Sequence, residues 1–148
     1  MSAIMAIVYG INPLYVVASA VAQQVLAMAW YGCIVRHIDR YYLAADKGVR
    51  RFEHVVQRYS GFMVSATNFL CSVLRTIILL ALVSVFHFQT LTEYQTAAMV
   101  TVALGMPRVS RLFSCQRPIQ LFITETGYEV AAAMTAAVIS YSMKAYKF

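Results

Sequence analysis

Charge is scarce in this chain. Only 12% of its 148 residues are Asp, Glu, Lys or Arg, against about a quarter in soluble domains. With 61% hydrophobic residues and a mean hydropathy of +0.66, this argues against a water-soluble globule. A core of this size conceals one or two apolar helices, not four apolar segments. Cysteine is sparse too: Cys33, Cys71 and Cys115 are widely spaced and form no CxxC. A disulfide framework and a zinc site are therefore not expected, and the thiols read as small buried hydrophobes. Nor is there a paired nucleophile and base, a phosphate loop, a metal-ligand cluster or a soluble catalytic domain, so no enzyme activity and no cofactor are expected. The net charge of +6 does not point to nucleic acid, because Lys and Arg cluster beside apolar spans and no groove-reading motif accompanies them. The opening stretch MSAIMAIVYGINPLYVV lacks both a positive n-region and an Arg-rich amphipathic pattern, and no cleaved presequence is expected.

What the chain does have is long apolar runs. Gly61 to Phe88 reads GFMVSATNFLCSVLRTIILLALVSVFHF, well over the roughly 20 apolar residues that cross a bilayer. Arg75 sits near its middle. At that depth an arginine costs from about 2.5 kcal/mol upward, so it must face protein or water. Ser65, Asn68, Ser72 and Arg75 share one helical stripe, which needs polar partners.

The other runs follow from punctuation. A first helix is expected over about 12–35, with Pro13 at a first helical position and Trp30–Tyr31 as an interfacial anchor. Gln23 and Gln24 lie mid-span, and at least one should bond to another helix. Thr90 and Glu93 form a capping box that opens a third helix over about 91–113, which Pro107 should kink or unwind. A fourth is expected over about 119–143. Glu125 and Glu129 share one of its faces, which continues through Ala132 and Ala136, and Gly127 and Ala131 are spaced for close helix approach.

Arg36 to Ser60 is the one long polar piece, and in it Val49, Phe52, Val56 and Tyr59 recur at helical spacing. An amphipathic interfacial helix is expected over about 46–60. The fold class is thus an all-α, four-helix transmembrane bundle, a single domain over 1–148, with an interfacial helix between helices 1 and 2.

Nine of the twelve basic residues fall in the two loops on one side, which places both termini on the opposite side, away from the cytoplasm or mitochondrial matrix. Arg75 is fourteen residues from Gly61, about 21 Å deep, and Glu129 is eleven from Pro118, about 16 Å deep at 1.5 Å per residue. An intramembrane pair of Arg75 and Glu129 is expected, with the shallower Glu125 bonded to Gln, Ser or water. Arg36, Arg40, Arg50 and Arg51, with Arg108 and Arg111, are candidates for anionic headgroups such as cardiolipin.

Two stretches carry a likeness. Asn12-Pro13-Leu14 through Trp30-Tyr31-Gly32, and Arg117-Pro118 through Gly127-Tyr128, resemble a mainly bacterial family of small four-helix membrane proteins known only as a domain of unknown function. The resemblance implies four helices and leaves activity open. Glu129 stands where that family usually has His, Glu125 where it often has Asn, and Arg75 is an addition. An added arginine with an added carboxylate is what a new buried pair requires.

The expected function is that of a non-catalytic accessory subunit of a larger membrane complex, whose partners are other subunits and lipids. Its expected setting is a mitochondrial inner-membrane respiratory-chain or ATP synthase complex, with both termini on the intermembrane-space side. A bacterial-type plasma membrane is the alternative location. The alternative function is a small ion or proton channel or transporter using Glu125, Glu129 and Arg75. A redox role is weaker, since His87 is the only histidine near a span and haem needs a second ligand facing it.

Overall fold

A computed structural model describes residues 7, 9–55, 59–107, 110, 114–115 and 117–145. Among them are five α-helices: α1 Pro13–Ala29, α2 Arg36–Asp46, α3 Gly61–Val85, α4 Leu91–Leu104 and α5 Ile119–Ala145. The protein is all-α.

Three helices, α1, α3 and α4, start where their sequence provides a side-chain cap. Asn12 accepts from the Leu14 amide at 3.0 Å ahead of Pro13, and the Ser60 hydroxyl accepts from Met63 N at 3.3 Å. At α4 the capping box is complete, with Glu93 Oε2 accepting from the backbone amides of Gln89 and Thr90, each at 2.7 Å. These bonds satisfy amides that a helix N-terminus leaves orphaned.

The ends are equally local. At Trp30–Ile34 α1 widens into one π turn, closed by Val35 N donating to Trp30 O at 2.9 Å. α2 stops at Gly48, whose φ of 68° admits a left-handed residue, while Val49 N reaches back to Ala44 O at 3.0 Å. This is a Schellman closure. The amphipathic helix therefore lies over Arg36–Asp46 and not over 46–60. After it the chain turns and forms only a 3-10 turn at Phe52–His54. Residues 56–58, Val56 and Arg58 among them, lie outside the described residues. α3 ends at Val85, three residues before the expected limit, because His87 takes a φ of 55° and Phe88 N closes onto Val83 O at 3.0 Å. α4 stops at Leu104, with turns at Gly105–Pro107. The rest of the expected third helix falls partly on residues outside the described set.

The four longer helices form a ring in which α1 packs on α3 and α5, and α4 packs on α5 and α3. The core sits where they meet: Leu79, Leu80 and Val83 of α3, Tyr94, Ala97 and Ala98 of α4, and Ala133, Ala136 and Ala137 of α5. Ala132, Ala133, Ala136 and Ala137 have no exposure at all, so α5 approaches its neighbours backbone to backbone, as small residues allow. Among the described residues two helices are long and apolar enough to cross a membrane, Pro13–Ile34 and Gly61–Val85.

Candidate functional site

The polar stripe of α3 finds its partners on α1 and α5. Gln23 is fully buried at the crossing. Its amide nitrogen donates to Thr76 Oγ1 at 2.9 Å and Ser19 O at 3.2 Å, and its oxygen accepts from Arg75 Nη1 at 2.7 Å. The other guanidinium nitrogen, Nη2, donates to Glu129 Oε2 on α5. Arg75 thus ties three helices together, and its side chain keeps only 10% of its exposure. An arginine suits this place because its planar fork addresses two acceptors at once.

A second tier lies toward the start of α3. Gln24 donates to Ser65 Oγ at 2.7 Å and accepts from Asn68 Nδ2 at 2.9 Å, and Tyr128 OH donates to Asn68 Oδ1 at 3.3 Å. The Tyr128 ring lies 5.9 Å from the Arg75 guanidinium carbon and 5.3 Å from the Tyr31 ring. Ser19 and Ser140 hydroxyls meet at 3.2 Å on the far side. Among the described residues no buried side-chain polar atom lacks a partner, as an interior of low dielectric requires.

Glu125 is placed differently. It is exposed, makes no hydrogen bond or ion pair among the described residues, and borders a groove of about 730 Å³ between α3, α4 and α5 that also reaches Arg75 and Glu129. Of the candidate lipid contacts, Arg36, Arg40, Arg50 and Arg51 are exposed, and the Arg40 guanidinium lies 5.1 Å from the Phe52 ring centre. Arg108 and Arg111 lie outside the described residues. Arg117 Nε approaches Asp46 at 3.8 Å, linking the end of α2 to the start of α5. On α2, burial pushes the Asp39 carboxyl above its ordinary range.

Trp30 is half-buried on α5, with Nε1 donating to Thr124 O at 3.2 Å. One expectation changes. Cys33, Cys71 and Cys115 are exposed rather than buried. Sequence reasoning missed Tyr128 and Ser140 as polar partners. For Ser140 the signal was present in its spacing from Glu129, since it lies eleven residues on, three turns along the same face; Tyr128, next to Glu129 in the chain, carries no such signal. Among the described residues no group of His, Cys, Asp and Glu could hold a metal ion.

No family model, curated protein or solved structure matches this chain.

Proposed function

We propose that this chain is a non-catalytic accessory subunit of a larger membrane protein complex, crossing the bilayer four times. The observation that supports this best is the closed set of bonds around Arg75. Gln23 and Glu129 engage its guanidinium from two helices, so the charges within the span brace the bundle instead of facing a reactant. A charged pair hydrogen-bonded between helices in this way serves to specify packing.

The surfaces fit the same role. Exposed Ile38 and Tyr41 flank exposed Arg36 and Arg40 on α2, an arrangement suited to the interface and to anionic headgroups such as cardiolipin. The proposed setting is a mitochondrial inner-membrane respiratory-chain or ATP synthase complex, with both termini on the intermembrane-space side. Native gel electrophoresis in mild detergent, with mass spectrometry of comigrating proteins, tests this. Comigration with a defined set of membrane subunits is the expected result, and migration at the chain's own mass defeats it.

A small ion or proton channel is the second reading, and the position of Glu125 beside the groove favours it. Proteoliposome flux carried by the purified chain and lost in Glu129→Gln would put it ahead of the subunit role.

A further inference from the structure

A groove lies between α3, α4 and α5, where α4 ends at Leu104 after 14 residues, about 21 Å of helix against a hydrocarbon core about 30 Å thick. Leu74, Ile78, Val102 and Phe122 line the space, yet Arg75, Arg117, Glu125 and Glu129 border it as well. Arg117 lies just ahead of α5 and nearest the basic loops, and along α5 Glu129 lies one turn deeper than Glu125.

Lipid chains are poor occupants of such a space. Glu125 is exposed there, and a carboxylate against hydrocarbon is strongly disfavoured. Cavities that stay dry are lined by apolar groups alone, whereas four ionisable side chains border this one. Its volume of about 730 Å³ takes roughly two dozen waters at ~30 Å³ each. The turns at Gly105–Pro107 also require water or protein beside them at that depth.

We propose that this groove is an aqueous vestibule, open toward the side that carries the basic loops and ending at the Arg75 and Glu129 pair, with water and small dissolved ions, protons included, as its occupants. Past the pair the bundle is closed. Ser19, Thr76, Leu79 and Ala98 have no exposure, and Ala97 has almost none. Water therefore penetrates from one side only, and Glu125 faces that water. The inference rests on the membrane reading given above.

Thiol labelling of the full chain in sealed native membranes tests it. Cys71 and Cys115 both border the groove, and single-cysteine chains report on each. Because Cys71 also borders a smaller groove beside Tyr59 and Met63, Leu74→Cys in a cysteine-free chain is the second deep probe. Val83→Cys, in the closed half, is the control. With a membrane-impermeant cationic thiol reagent, Cys115, Cys71 and Leu74→Cys are expected to react from the same side within tenfold of one another, and Val83→Cys from neither side. A reaction more than tenfold slower at either deep position than at Cys115, or labelling from the opposite side, overturns the vestibule. Release of the chain by alkaline carbonate instead overturns the membrane reading beneath it.

Discussion

The indole of Trp30 lies directly over Gly127, with Cζ2 3.0 Å from where a Cβ on that residue would sit. The ring cannot slide away freely, because its Nε1 donates to Thr124 O at 3.2 Å. Gly127→Ala is therefore expected to lower stability by about 1–3 kcal/mol, the range for an overpacked site. Thermal unfolding in detergent measures it, and in a Trp30→Ala background most of that loss should vanish. An equal loss in both backgrounds would place the cost elsewhere, in α5 itself.

How far the sequence revealed this arrangement depended on whether the signal was local or relational. Caps at Asn12, Ser60 and Thr90 sit beside the residues they cap, so those three helix starts were legible. The Arg75 and Glu129 contact could be anticipated from depth alone, since a charge inside an apolar run needs an opposite one at matching height. The position of the amphipathic helix was not legible from periodicity. Val49, Phe52, Val56 and Tyr59 keep the helical spacing, but Gly48 in a left-handed conformation ends the helix before them. The Trp30 contact was hidden for a different reason: a tryptophan near the end of a span suits both an interface and a helix neighbour, and only the glycine facing it decides.

Removing half of the Arg75 and Glu129 pair should cost more than removing both. Glu129→Leu leaves the guanidinium, with only 10% of its side chain exposed, held by Gln23 alone among hydrogen-bond partners on the described residues. Breaking a buried pair in this way costs about 3–5 kcal/mol, whereas apolar replacement of both partners is often near neutral. Arg75→Met combined with Glu129→Leu is thus expected to recover most of the loss in a detergent unfolding assay. A double variant less stable than either single one would contradict the bracing role.

His87 offers a test in the opposite direction. It closes α3 with a φ of 55°, a conformation costing about 1–2 kcal/mol for a residue with a Cβ and almost nothing for glycine. His87→Gly should hold the fold or stabilise it by up to about 1 kcal/mol, after the entropy that glycine loses on folding. His87→Val should destabilise it, since β-branched residues fit that region worst. Paired melting curves check both signs, and a destabilised glycine variant would mean that the imidazole itself supports the turn.

Asp39 makes stability depend on pH in a direction that follows from its surroundings. The carboxylate sits in the first turn of α2, where the helix dipole favours negative charge, yet burial wins and raises its pKa above the ordinary value. The folded protein then binds this proton more tightly than the unfolded chain does. At neutral pH the ionised group works against folding. That penalty falls away as the pH drops through the raised folded value toward the unfolded one, about 3.9. Asp39→Asn is expected to raise Tm at pH ~7 and to leave it little changed near pH ~3, where the carboxyl is protonated in both states. Scanning both proteins across that range measures the difference, and a gain of the same size at both ends would show that the substitution acts through packing and not through charge.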